Sequence, residues 1–250
     1  MHTLTTGSHV LLPRSAVQAN RLLAVMPHDA LDRLLQDAEK VKMVAGDVLY
    51  SADNPLTHAY FPVDVIVTML LESSGRPMTK VAMVGREGVV GVSAFMGGAP
   101  PLGRAVVLND GSAFKIPAAA LKAEFDLNGA AMRLLLRFTQ SLVTQMAQSV
   151  VCYRHHQIEP QLCSWLLASM DRLPKGNTLP VTQEMIAGIL GVRRESISQA
   201  AGMLRKSGLI NFRRGQIKVL DRLGLLARAC ECYAVVKRET DRLLPDRPAT

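Results

Sequence analysis

Aromatic side chains are scarce in this sequence, at 4% with a single tryptophan, so any core must be built mainly from Leu, Val, Ile, Met and Ala. Cysteine is scarce too: Cys152, Cys163, Cys230 and Cys232 are the four present, and none precedes Cys152. That excludes a disulfide scaffold, and the spacings are not those of a zinc or iron–sulfur framework. The Cys-x-Cys at 230–232 is expected on a helix, where i and i+2 do not share a face, so reduced structural thiols in a cytoplasmic protein are the expectation. Met1 to Leu12 lacks a charged segment followed by an apolar core, which argues against a signal peptide. No long apolar run is present either. The charge-free stretch from Phe138 to Tyr153 contains Thr139, Gln140, Ser141, Thr144, Gln145, Gln148 and Ser149, too many polar groups for hydrocarbon, so no membrane partner is expected. Histidine is sparse where strands are dense. His58 stands alone there, which leaves a cupin-like metal enzyme without its ligand cluster, and no catalytic residue or metal is expected. His155 and His156 read as solvated.

What is present is an uneven charge. Residues 1–126 hold 11 Lys or Arg against 12 Asp or Glu, whereas residues 181–250 hold 13 against 7, within a formal net charge of +8 for the 250-residue chain. A neutral front and a basic back suggest a scaffold or sensor joined to a module that binds a polyanion. The texture divides the chain similarly. Residues 1–17 read as a flexible leader, and Asn20 to Leu35 as two short helices broken at Pro27. From Val41 to Ile116 short strands are punctuated by Gly, Pro, Asn and Asp: Val41–Val44, Val48–Tyr50, Ala59–Pro62, Ile66–Leu71, Thr79–Val84 and Ala105–Leu108. Strands of this length and spacing predict a barrel or sandwich. Leu127 to Arg154 predicts one long helix, in which Ala131, Leu135, Phe138, Leu142, then Gln145 or Met146, and Ser149 recur at spacings of three and four. That is a coiled-coil seam, so Leu135, Phe138, Leu142 and Met146 are expected to pair with a second copy of the chain, the alternative being a long helix packed on its own barrel. Another helix is expected over Glu159–Leu173.

The segment from Val181 to Val219 carries the most specific signal. Thr182 is placed to cap a helix, with Met185 where the Glu of a full capping box would stand. Met185, Ile186, Ile189 and Leu190 give that helix a buried stripe, and Gly191 supplies the left-handed residue that ends it. A second helix over about 193–207 buries Ile197, Ala201 and Leu204 and turns Arg194, Glu195, Ser198, Gln199, Gly202 and Arg205 outward. Arg, Gln and Glu are the side chains that read guanine, adenine and cytosine in the major groove of double-stranded DNA. Two short strands follow around Arg213-Arg214-Gly215, a basic hairpin wing over 213–218 whose charges suit phosphate.

On these residues the chain resembles the Crp/Fnr family of transcriptional regulators: Thr182-Gln183-Glu184, Ile189-Leu190-Gly191-Val192, Arg194-Glu195-Ser196-Ile197-Ser198, Leu204, Gly208-Leu209-Ile210 and Gly215 to Asp221. Upstream, Gly46 to Tyr50, Tyr60-Phe61-Pro62 and Gly88 to Gly91 resemble the family's sensor domain. The resemblance implies an α+β chain: a double-stranded β-helix, cyclic-nucleotide-binding-like domain over 18–126, a dimerisation helix over 127–155 and a winged helix-turn-helix over 156–250. It implies a homodimeric, sequence-specific regulator whose partners are DNA, a second copy and RNA polymerase. Carried over by position, it gives Arg194, Glu195 and Gln199 the base-reading places; with the residues read above, the expected DNA contacts are Thr182, Gln183, Arg193, Arg194, Glu195, Ser196, Ser198, Gln199, Arg205, Arg213, Arg214 and Lys218. Gln199 and Arg193 depart from the family, where Arg and Ser are usual.

The sensor departs further. Cyclic-nucleotide binders follow the cassette Gly with Glu and carry Arg-Ser or Arg-Thr on the phosphate; here the corresponding pairs are Gly91-Val92 and Arg104-Ala105. These four residues mark the candidate effector pocket, its ligand unknown, with a cyclic nucleotide- or cyclic dinucleotide-responsive regulator as the alternative. The iron–sulfur cluster of the family's oxygen sensors is not expected, because it needs N-terminal cysteines. Neither His28 nor His58 is marked as a haem ligand.

Overall fold

The computed structural model describes residues 12–51, 54, 56–73, 76–97, 103–174, 176–213 and 215–244. Helices α1 (Arg21–Ala24) and α2 (His28–Leu35) lead into β1 (Glu39–Met43), β2 (Val48–Tyr50), β3 (His58–Pro62), β4 (Val67–Ser73) and β5 (Arg76–Val84). A helical turn, α3 (Ser93–Met96), precedes β6 (Arg104–Val107) and β7 (Gly111–Pro117). The remainder runs α4 (Ala118–Asp126), α5 (Ala130–His155), α6 (Ile158–Arg172), β8 (Thr178–Leu179), α7 (Gln183–Leu190), α8 (Arg194–Lys206), β9 (Ile210–Arg213), β10 (Gln216–Val219), α9 (Arg222–Arg228) and α10 (Glu231–Leu243). No helix among the described residues is long and apolar enough to cross a membrane.

The barrel is two antiparallel sheets, β1-β7-β3 and β2-β6-β4-β5. Their inner faces meet in one core, Ala59, Phe61, Phe114 and Ile116 from the first and Val67, Ala82, Ala105 and Val107 from the second. Alternation along each strand sends successive side chains to opposite faces, so the polar partners stay out. Strand β7 is an addition to the six strands expected. It is the centre of its sheet, pairing Phe114 with both Lys40 and Phe61. Its flanking Gly111 and Pro117 and its internal Lys115 give it a turn-like composition that its buried neighbours override. Residues 1–11 of the expected leader lie outside the described residues, but the leader does not extend to residue 17: Val17 is completely buried in the barrel core.

The long helix is where the structure corrects the sequence reading most. Leu135, Phe138 and Leu142 are buried and Met146 packs beside them, all four against the chain's own barrel core. The ring of Phe138 lies so close to Gly88 that a Cβ there would come within 1.9 Å of it. The expected dimer seam is therefore an intrachain seam. The opposite face of α5 presents Leu136, Gln140, Val143, Ala147 and Val150 to solvent, the three aliphatics at 41%, 52% and 69% exposure. That set also repeats at four, three, four and three residues, so α5 carries two coiled-coil stripes and only one is used within the chain.

The helix-turn-helix packs onto the same barrel. Ile66, Met83 and Leu108 of the barrel join a second core with Leu162, Trp165, Ile186, Ile197, Leu204 and Ile217. Strand β5 is the platform. Its Met83 backbone exchanges hydrogen bonds with the Gln145 amide (2.7 and 3.1 Å), and its Lys80 and Val81 carbonyls accept from the Tyr153 and Ser149 hydroxyls. The buried Arg172 guanidinium at the end of α6 meets the buried Glu87 carboxylate at 2.9 Å. Helix α10 turns back along α5 rather than extending the winged module. Leu243 and Leu244 join the barrel core, and Arg21 donates to the Leu244 carbonyl.

Candidate nucleic-acid interface

The interface starts from two helix caps. The Thr182 hydroxyl accepts from the Met185 N–H at 3.1 Å, so the half capping box forms as its residues dictate. Gly191 ends α7 with φ +67°, ψ +32°, a left-handed residue that L side chains rarely adopt, and the Val192 N–H closes onto the Ala187 carbonyl at 3.0 Å. This tight turn sets α8 across α7. Substituting Thr182 by alanine leaves an unsatisfied helix N–H, and a loss of about 0.5–2 kcal/mol in urea-induced unfolding of the full chain is expected.

Helix α8 then buries Ile197, Ala200, Ala201 and Leu204 against the second core. Its N-cap is Arg193 in extended backbone, with no side-chain capping bond. Arg193, Arg194, Glu195, Ser198, Gln199 and Arg205 are all exposed on the far side, with Ser196 half-buried at the edge. Ser198 Oγ donates to Gln183 Oε1 at 2.6 Å, fixing the start of α7 against the outward face of α8. Arg194 Nε lies 3.9 Å from Glu184 Oε2, a loose and fully wet ion pair. Such a pair is worth little in water, so the guanidinium is free to exchange it for a base edge.

The wing completes the surface. Strands β9 and β10 pair antiparallel, with Arg213 opposite Gln216 and Lys218 opposite Asn211, and β8 adds a short third strand on the other edge of β10. Arg213 and Lys218 are exposed, while Ile217 and Val219 anchor the hairpin in the core. Gly215 turns the hairpin at φ +77°, and a Cβ there would lie 3.7 Å from the Thr182 methyl. The wing tip thus abuts the start of α7, and an open groove forms between Thr182, Gln183, Glu184, Arg194, Phe212 and Gly215. The Arg194 guanidinium and the Glu184 carboxylate both line this groove, beside the start of α7. Arg214 lies outside the described residues.

In the barrel, Gly91 takes φ +107° in the turn before α3, and a Cβ there would approach Leu56 to 2.8 Å. Val92 follows it half-buried, Arg104 opens β6 opposite Leu70, and Ala105 is fully buried across from Tyr50 and Met69. Most of the loop joining the two pairs, residues 98–102, lies outside the described residues.

The cysteines are the residues that sequence reasoning misplaced. Cys230 is not on a helix but is the extended residue that starts α10, so its side chain and that of Cys232 turn to one side. There they meet Cys152 and His156 at the end of α5, and His156 is half-buried rather than solvated. Cys163 stays apart in the second core, where burial pushes its thiol up to about 12. No local spacing announces this gathering, because Cys152 and Cys230 are 78 residues apart and meet only when α10 folds back.

Comparison with known proteins agrees with the architecture. Residues 160–228 match the family model described as the Crp-like helix-turn-helix domain. No curated protein matches the sequence. Among solved structures, FixK2 from Bradyrhizobium japonicum superposes with a TM-score of 0.66 at 18% identity, over 77% of this chain and 98% of its own. CLP from Xanthomonas campestris, described as a c-di-GMP responsive global regulator, superposes at 0.59 and 14% identity, over 78% and 100%. A CooA mutant from Carboxydothermus hydrogenoformans gives 0.55 and 14%, over 77% and 88%. At these identities the likeness is one of fold.

Proposed function

We propose that the chain is a Crp/Fnr-type DNA-binding transcriptional regulator, as its Crp-like helix-turn-helix match and its fold support, and that it works as a homodimer which lays α8 of each protomer in successive major grooves of a two-fold operator. The observation that carries this reading is the shared surface of α8, the α7 start and the wing. Arg194, Glu195, Ser198 and Gln199 face outward beside a groove bounded by Thr182, Gln183 and Gly215. Arg194, Glu195 and Gln199 read base edges, with Ser196 and Ser198 beside them. Arg193, Arg205, Arg213, Arg214 and Lys218 hold phosphate, and Thr182 and Gln183 support a phosphate at the start of α7. The exposed stripe Leu136, Val143 and Val150 is the dimer contact, in place of the buried stripe beside it. A promoter-bound dimer of this kind acts on RNA polymerase in the cytoplasm.

Selection of genomic fragments by the purified full chain at fixed, near-physiological salt tests this reading. A shared two-fold motif is expected, and retention without any shared motif would refute sequence-specific binding. The selection is repeated with a cyclic dinucleotide and with cyclic AMP, since CLP is described as responsive to c-di-GMP. On the selected site, Arg194→Ala is expected to weaken binding by about 1–3 kcal/mol and relax base choice at one position. Arg213→Ala is expected to weaken all sequences alike and to flatten the salt dependence. Specific binding left intact by Arg194→Ala would remove α8 from the major groove.

A further inference from the structure

We propose that Cys152, His156, Cys230 and Cys232 form a four-coordinate site for one zinc-class divalent metal ion, which ties the start of α10 to the end of α5. The four ligand atoms all lie within 4.8 Å of one another. Two of the separations between them are known individually: Cys152 Sγ to Cys230 Sγ is 3.6 Å, and Cys232 Sγ to His156 Nδ1 is 3.6 Å. A tetrahedral ion with metal–sulfur bonds of about 2.3 Å and metal–nitrogen bonds of about 2.0–2.1 Å requires sulfur–sulfur edges of about 3.8 Å and sulfur–nitrogen edges of about 3.6 Å. The two measured edges fit those lengths with little movement. Three sulfurs and an imidazole form a soft donor set that selects zinc over magnesium or calcium. Four protein ligands leave no open position, which makes the site structural rather than hydrolytic.

The surroundings hold the donor atoms in place. His156 turns Nδ1 to the sulfurs, while Nε2 lies 3.2 Å from Glu231 Oε1. A carboxylate behind the imidazole is the arrangement that fixes the tautomer and orients a metal-bound histidine. The Ser164 hydroxyl lies 3.1 Å from Cys230 Sγ, in reach to donate to a thiolate. Cys230 stands at the N-cap of the 13-residue helix α10 and Cys232 lies in its first turn, so both sulfurs sit at the positive end of the helix. Cys152 and His156 are four residues apart at the end of α5, on one face. Cys230 and Cys232 are buried and Cys152 and His156 half-buried, so the ion would be shielded from bulk water.

A Cys152–Cys230 disulfide is the competing chemistry for two of these sulfurs. It requires the sulfurs to close to about 2.0 Å, and it leaves Cys232, His156 and the Glu231 contact without a role. The metal uses all of them. It also closes a long loop, the whole of α6 to α9, between its two pairs of ligands. Metal binding here therefore stabilises the fold, and stripping the ion should loosen α10 from α5.

The test uses the full chain, produced with zinc available and purified under reducing conditions without chelator. Elemental analysis is expected to find about one zinc per chain. The double variant Cys230→Ser/Cys232→Ser is expected to lose it, and Cys163→Ser, outside the cluster, is expected to keep it. Independently of any variant, chelator-stripped wild-type chain titrated with cobalt(II) is expected to develop the intense visible bands of tetrahedral cobalt and a thiolate-to-cobalt charge-transfer band. Zinc-free protein that gives only the weak absorption of six-coordinate cobalt would overturn the proposal. So would full zinc retention by a folded double variant, or a count of two free thiols in place of four in the denatured chain once the reductant is removed, owing to a Cys152–Cys230 bond.

Discussion

Replacing Glu87 with alanine is expected to lower the unfolding free energy of the full chain by about 3–5 kcal/mol, because it leaves a buried guanidinium without its counter-ion. Arg172 and Glu87 have side chains only 9% and 10% exposed, and their 2.9 Å contact sits where α6 crosses the turn after β5. The carboxylate also accepts from the Gly85 N–H through both oxygens at 3.2 Å. Arg172 in turn donates to the carbonyls of Met83 and Ala168. The loss predicted exceeds that of most single substitutions, which run to about 3 kcal/mol. Two controls separate charge from shape. Glu87→Gln keeps a hydrogen-bond acceptor and is expected to fall between wild type and Glu87→Ala. Replacing both partners by methionine removes the stranded charge and is expected to recover most of the stability. If Glu87→Ala unfolds in urea at the wild-type midpoint and slope, the pair does not clamp the barrel to the helix-turn-helix.

The helix-turn-helix was legible in the sequence because every feature it needs is local. Thr182 and Gly191 are caps that act over a few residues, and the Ile197, Ala201 and Leu204 stripe needs only helical spacing. Gly215 turns the wing through its own positive φ of +77°. The predicted helix over 193–207 differs from α8 only at its ends, Arg193 proving to be the cap. What the sequence hides is which partner a face meets. In α5 the stripe of Leu135, Phe138, Leu142 and Met146 and the stripe of Leu136, Val143 and Val150 have the same period, and no charge interrupts either of them from Phe138 to Tyr153. The choice between them rests on Gly88, fifty residues upstream of Phe138, whose missing side chain makes room for the ring. The strand β7 and the Cys152, His156, Cys230 and Cys232 cluster are hidden for the same reason, since each is defined by neighbours distant in the chain.

That assignment of faces makes a sharp demand on the free stripe of α5. If Leu136, Val143 and Val150 pack against a second copy, Val143 lies at the centre of the contact, flanked by Gln140 and Ala147. A carboxylate there meets its own symmetry mate in a desolvated seam, where like charges oppose each other and neither has a partner. Val143→Glu is therefore expected to sediment as a monomer at concentrations where the wild type is a dimer. Its fold should hold, because Val143 is 52% exposed within the chain. Leu142→Glu, one residue away on the barrel side, is expected to unfold the protein instead, since Leu142 is buried in the intrachain core. DNA binding supplies the second readout. A dimer joins two half-site contacts through one rigid helix pair, and losing that linkage is worth about 10²–10⁴ in affinity without any change in the reading helix. Val143→Glu is expected to lose affinity for a two-fold site by that order while its weak affinity for an isolated half-site stays at the wild-type value. A dimeric Val143→Glu with full operator affinity would place the dimer contact somewhere other than α5.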